Sequence, residues 1–221
     1  MLKKFLKPFL NYVYKPFVKL YLRKKRTVQI SGLTIEVWPG VFHPTLFYST
    51  KYLLQFLSDF DLNNKRLLEL GCGTGTISCF AATKNAIVTA IDINQTAVAN
   101  CTKNAMLNKV KVLCLQSDLF DKITNATFDY IIINPPYYAG NATSDEEQAW
   151  YCGSEYQYFE KLFFQLKNRN DDATVFMILS DECAIEKIDA VGTNYSLELK
   201  VVKEYSNILE RNSIYEIKKR G

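Results

Sequence analysis

With 221 residues, 48% hydrophobic and 23% charged, the chain is sized for one domain that buries its own core, so no metal or disulfide is needed to hold it. Its six cysteines form no C-x-x-C pair and its only histidine is His43, which argues against zinc and fits reduced thiols in a cytoplasmic protein. No apolar run approaches the ~18–20 residues of a membrane span, and Pro8, Asn11 and Lys15 interrupt any signal-peptide core, so neither a transmembrane segment nor a leader is expected.

The net charge of +4 is unevenly placed. Residues 1–26 hold nine of the 27 Lys and Arg and no acid, which leaves 18 bases against 23 acids, or −5, for the remainder. In that basic head, Leu2, Phe5, Leu6, Phe9, Leu10, Val13, Phe17, Leu20 and Tyr21 recur mostly at spacings of three or four. The pattern predicts one or two amphipathic helices broken near Pro16, a short basic extension ahead of a single domain over 27–221. Three readings of the extension stand: contact with RNA or the ribosome through phosphates, attachment to an anionic membrane surface, or packing of its apolar face on the core.

Residues 28–30 and 33–37 flank Ser31 and Gly32, which predicts a hairpin. A helix starting at Ser49 or Thr50 would carry Leu53, Leu54, Phe56 and Leu57. From residue 65 strands and helices alternate. Strand 67–70 leads through a glycine-rich turn to a helix with Ile77, Phe80 and Ala81; strand 87–93 leads to a helix with Val98, Cys101 and Ala105 on one face. Strands 110–115, 128–133 and 174–179 follow, with a helical stretch around 154–168 before the last. Residues 128–133 are almost wholly apolar, as a strand covered on both faces must be. At the end, Leu197, Leu199 and Val201 alternate with Ser196, Glu198 and Lys200, and with 213–217 they predict an antiparallel pair. The β-α order implies an α/β, Rossmann-like, largely parallel sheet, whose ligands bind beyond the carboxyl ends of the strands.

The first such loop reads Glu69-Leu70-Gly71-Cys72-Gly73-Thr74-Gly75. Its alternating glycines let the backbone turn tightly and approach a ligand, with Cys72 as small filler between them. The next strand ends in Asp92, 17 residues after Gly75, where an acid can accept both hydroxyls of a ribose. A dinucleotide-dependent oxidoreductase would prefer G-x-G-x-x-G, but here the third glycine comes one residue early. Glu69 before the turn suits instead a ligand with an ammonium group and no phosphates, such as the methionine part of S-adenosylmethionine.

Asn134-Pro135-Pro136-Tyr137 follows the apolar strand 128–133. The prolines fix their own φ and push the residues before them into extended conformations, so the carbonyls of Asn134 and Pro135 are fixed in direction. An Asn side-chain oxygen and a rigid main-chain carbonyl can accept both N–H bonds of one –NH2 group, and Tyr137 offers a face for a flat amide or base. In the loop 117–120, Asp118 could accept an adenine amino group, with Ile93 and Leu119 bordering the ring; a helix N-cap would read the same way. His43 is either a base or a structural residue, and loop 139–153, with Asp145, Glu146 and Glu147, either a lid or a solvated loop.

The succession LELGCGTG, AIDIN, QSDLF, NPPYY resembles a class I S-adenosylmethionine-dependent methyltransferase. It is similar to the branch that holds the release-factor glutamine methyltransferases, the "small domain" enzymes and N6-adenine enzymes. The resemblance covers roughly 40–220 and implies a methyltransferase domain with a seven-stranded sheet ending in an antiparallel hairpin. It also implies Gly71, Gly73 and Gly75 near the methionine and ribose, Asp92 on the ribose, Asp118 near the adenine, and residues 134–137 on the target. The acceptor it implies is a protein glutamine, with an exocyclic amine of adenine or guanine in RNA or DNA as the alternative.

Overall fold

The computed structural model describes residues 24–123, 125–142, 147–208 and 210–220. The helical extension expected over 1–26 lies outside the described residues except for its last three. β1 (Arg26–Ile30) and β2 (Leu33–Val37) form the expected hairpin, with Ser31 and Gly32 both at positive φ (49° and 81°), as a two-residue turn between twisted strands requires. α1 (Tyr48–Ser58) comes next, followed by β3 (Arg66–Leu70), α2 (Thr76–Thr83), β4 (Ile87–Asp92), α3 (Gln95–Leu107), β5 (Val112–Gln116) and β6 (Tyr130–Ile133). The chain ends with α4 (Gln157–Lys167), β7 (Thr174–Ser180), α5 (Ile185–Asn194), β8 (Leu197–Ser206) and β9 (Arg211–Lys219).

Seven strands make one sheet in the order β5-β4-β3-β6-β7-β9-β8. The first five are parallel; β9 runs antiparallel to both β7 and β8. This is the mostly parallel sheet with a C-terminal antiparallel hairpin that the sequence predicts. Side chains of successive strand residues enter opposite layers. Leu68, Leu70, Ile131, Ile133 and Met177 meet α4 and α5 on one face, whereas Leu67, Ile132, Phe176 and Ile178 meet α1, α2 and the β1–β2 hairpin on the other.

Three local differences have identifiable causes. β5 starts at Val112 because α3 closes with a Schellman turn: Lys109 sits at φ 54°, its N–H reaches Met106 O, and the Val110 N–H reaches Ala105 O. β6 starts at Tyr130 because the N–H of Phe128 goes to Asp171 Oδ2 and the Phe128 side chain enters the core. α5 is not evident in the sequence because it buries only Ile188 and Gly192. Among the described residues, no helix is long and apolar enough to cross a membrane.

Candidate active site

The glycine-rich turn is fixed by its main chain. Gly71, Gly73 and Gly75 lie at φ 73°, 52° and 71°. The N–H groups of Gly71 and Cys72 both donate to Ile91 O, and that of Gly75 to Cys72 O. At Gly75 a side chain is disfavoured for a second reason: a Cβ would lie 2.2 Å from Cys101 Sγ, so that one of the two would have to shift. The third glycine therefore serves close packing of the turn on α3.

The residues assigned from the sequence to the cofactor or the acceptor, Gly75 excepted, line one cavity of about 220 Å³ at the carboxyl ends of β3 to β6. Glu69, 3% exposed, lies at its floor. Its Oε2 accepts from the N–H (2.8 Å) and the hydroxyl of Ser78. Burial nevertheless pushes its carboxyl up to about 8. Asp92 accepts the N–H of Gly73 on Oδ2 and of Asn94 on Oδ1, both at 2.9 Å. Burial raises its pKa and these N–H groups pull it back. Cys72 meets Cys101, whose sulfur lies 3.3 Å from that of Cys114. The hydrogen bond with Cys101 lowers the Cys72 pKa, but burial with Asp92 and Glu69 nearby carries it to about 12, an inert thiol.

On the other side, Ile93 stands 45% exposed in the cavity. Leu119 turns through φ 50°, and Asp118 pairs with Lys161 at 2.6 Å. The capping alternative for Asp118 does not hold. No helix follows it, and Ser117 Oγ accepts the Lys122 N–H while donating to Leu119 O.

Residues 134–137 leave β6 with all peptides trans and face the cavity. Tyr137 is hydrogen-bonded to Ser180, and burial raises it to about 12. The Tyr138 hydroxyl donates to Glu182 Oε2 at 2.9 Å, with its ring 4.9 Å from that of Tyr137. The Tyr138 N–H donates to Trp150 O, the Cys152 N–H to Tyr138 O and the Gly140 N–H to Gly153 O. The two described arms of loop 139–153 are thus tied together, and Asp145 and Glu146 lie outside the described residues.

The sequence reading missed the aromatic wall. Trp150 lines the cavity with its ring 5.3 Å from Phe42 and 4.8 Å from Phe47. Tyr158 lines it from α4. Phe42 directly precedes His43, and that residue was the available signal; Trp150 offered none. His43 is 2% exposed, does not line the cavity, and has its pKa lowered by burial, which fits a structural residue. The described residues hold no cluster of potential metal ligands.

A family model described as methyltransferase small domain matches residues 32–150. A Methanocaldococcus jannaschii protein named as a protein N5-glutamine methyltransferase is 37% identical over 122 residues, covering 55% of this chain and 58% of the relative. A protein named ribosomal RNA small subunit methyltransferase C, from Chromohalobacter salexigens, is 34% identical over 117 residues, covering 52% of this chain and 35% of the relative. The chain spans less than two thirds of the length of either. A methyltransferase from Pyrococcus furiosus shares the fold, with a TM-score of 0.61, 22% identity, and coverage of 95% of this chain and 99% of that one. Nothing among these matches supports the oxidoreductase alternative.

Proposed function

The chain belongs to the methyltransferase small-domain family, and on that premise we propose that it transfers the methyl group of S-adenosylmethionine to the nitrogen of a planar –NH2 group. One observation carries this reading: the glycine-rich turn and the rigid 134–137 segment face one cavity.

The cavity residues suit the cofactor. Asp92 keeps lone pairs for the ribose hydroxyls, because each of its oxygens takes one N–H. Ile93 and Leu119 offer apolar faces to the adenine and Asp118 an acceptor for its amino group. Glu69 sits where an ammonium would be neutralised. The cofactor supplies a methyl group already activated on a positive sulfonium, so no metal or strong base is needed. The protein's task is the acceptor. The lone pair of an amide or aromatic amine is delocalised; Asn134 Oδ1 and Pro135 O, by accepting both N–H bonds, would favour a localised lone pair and aim it at the methyl carbon. The N–CH3 bond then forms as the S–CH3 bond breaks, the sulfur leaves as a neutral thioether and one N–H proton passes to solvent. Holding the reacting atoms ~3–3.5 Å apart in line supplies ~7–11 kcal/mol. Tyr137, anchored on Ser180, gives the flat group a face to stack on.

A protein glutamine side chain is the favoured acceptor. Among the described residues, the charged side chains that line the cavity are Glu69, Asp92 and Asp118, all acids, and no Lys or Arg lines it. Such a lining offers no counter-charge to a phosphate backbone and tolerates a peptide. The second reading, an exocyclic amine of adenine or guanine, draws on the basic residues 1–26, which could bring the chain to RNA or a ribosome. In either reading the workplace is the cytoplasm.

The test is transfer of labelled methyl from S-adenosylmethionine into a fractionated lysate, with Asn134→Ala as control. Label in protein that is lost in the variant supports glutamine; label in nucleic acid supports the second reading. No Asn134-dependent label in either fraction rejects the function.

A further inference from the structure

The edge of β2 turned away from β1 is paired by side chains, not by a strand. Asn108 Oδ1 accepts the Thr34 N–H (2.9 Å) and its Nδ2 donates to Thr34 O (2.8 Å). Asn104 Oδ1 accepts the Glu36 N–H and its Nδ2 donates to Glu36 O, both at 2.8 Å. Asn100 Oδ1 accepts the Trp38 N–H at 3.0 Å, and its Nδ2 also donates to Glu36 O. The match is geometric. Four residues advance a helix by ~6 Å and two residues advance a strand by ~6.6 Å, so amides at every fourth position of α3 meet alternate residues of β2.

Asn104 makes one bond that its two neighbours do not. The second hydrogen of its Nδ2 goes to Thr74 O, 2.9 Å away in the glycine-rich turn. The Thr74–Gly75 peptide is thereby held at both ends, because the Gly75 N–H donates to Cys72 O at 2.7 Å. Asn104 is fully buried, does not line the cavity, and uses both amide hydrogens. The hairpin it holds leads directly into Gly40, Val41 and Phe42, which form the facing wall; Phe42 Cβ lies 3.7 Å from the position of a Cβ on Gly73.

We propose that Asn104 is a positioning residue for the cofactor: one side-chain amide sets the turn that receives S-adenosylmethionine and the hairpin that carries the opposite wall, and so couples cofactor binding to hairpin docking. The inference rests on the cofactor reading above. Asn108 is the internal control, since it bonds the same hairpin but otherwise reaches only Asn104 O within α3.

The experiment uses the full chain and S-adenosylhomocysteine, the demethylated cofactor, as the probe. By calorimetric titration, Asn104→Ala weakens its binding tenfold or more, whereas Asn108→Ala changes it less than twofold although both variants melt earlier. Equal losses in the two variants overturn the proposal. If Asn104→Ala does not fold, amide exchange in the wild type decides. The ligand is expected to slow exchange of the Glu36 N–H, bonded to Asn104, and not of the Thr34 N–H, bonded to Asn108. Equal protection of both, or of neither, overturns the coupling. Failure of the wild-type protein to bind the probe at all strikes the cofactor reading instead.

Discussion

Glu69 Oε2 takes both the main-chain N–H and the hydroxyl of Ser78, from the first turns of α2, yet burial still leaves its carboxyl titrating near 8. In the free protein this group is therefore mostly protonated at neutral pH, and two consequences can be measured.

The first concerns stability. The folded pKa lies above the unfolded value of 4.5, so the folded state binds the extra proton between pH 4.5 and 8. The contribution of Glu69 to stability is full below 4.5 and is lost as pH rises through 8. Denaturant titrations between pH 5 and 8 should show a downward trend that Glu69→Gln flattens. An unchanged slope in the variant would mean that Glu69 does not titrate there.

The second concerns ligand binding. A bound ammonium favours the ionised carboxylate, so association releases a proton. Affinity for S-adenosylhomocysteine should rise between pH 6 and 7 by up to ~tenfold. In Glu69→Gln that dependence should vanish and affinity should fall. A parallel rise in the variant assigns the effect to the ligand.

Asn134→Ala should separate binding from turnover. Its side chain has no hydrogen-bond partner among the described residues, so its loss should leave melting temperature and cofactor affinity nearly unchanged. Methyl transfer should fall by ~10²-fold or more. Unaltered transfer rates would remove Asn134 from the acceptor clamp.

Gly75→Ala should be severe. The residue sits at φ 71°, and the new methyl group meets both Sγ and Cβ of Cys101. We expect a loss of ~1–3 kcal/mol or more in stability from overpacking and left-handed strain, together with weaker cofactor binding. Adding Cys101→Ala should restore part of the stability by removing the sulfur. No recovery in the double variant would place the damage in backbone strain alone.

Trp150→Ala removes the contacts that join loop 139–153 to Phe42 and Phe47. Each aromatic pair contributes ~0.5–1.5 kcal/mol beyond its buried area. Release of S-adenosylhomocysteine, followed by stopped flow, should become several-fold faster, whereas Asn134→Ala should leave it unchanged. Equal release rates in all three proteins would make the aromatic trio irrelevant to the cofactor.

The inner sheet was legible because its parallel strands are short apolar runs, buried over most of their length, that end in a turn or an acid, as 67–70 and 128–133 show, whereas the edge strand β5 is half exposed. α5 was not, since Ile188 and Gly192 make too narrow a stripe to register as a period. The glycines, Asp92 and the two prolines could be read because their backbone demands are local. Asn100, Asn104 and Asn108 could not, because an asparagine on a helix resembles a solvated residue until the strand it serves is known. Trp150 was hidden for the same reason: its partners, Phe42 and Phe47, lie about a hundred residues earlier in the chain.

The most direct measurement is a crystal structure of the chain with S-adenosylhomocysteine bound. The ligand sulfur is expected to face Asn134 Oδ1 and Pro135 O across an open gap, with the ribose on Asp92. A ligand whose sulfur points away from residues 134–137, or one bound outside the cavity beneath the glycine-rich turn, would contradict it.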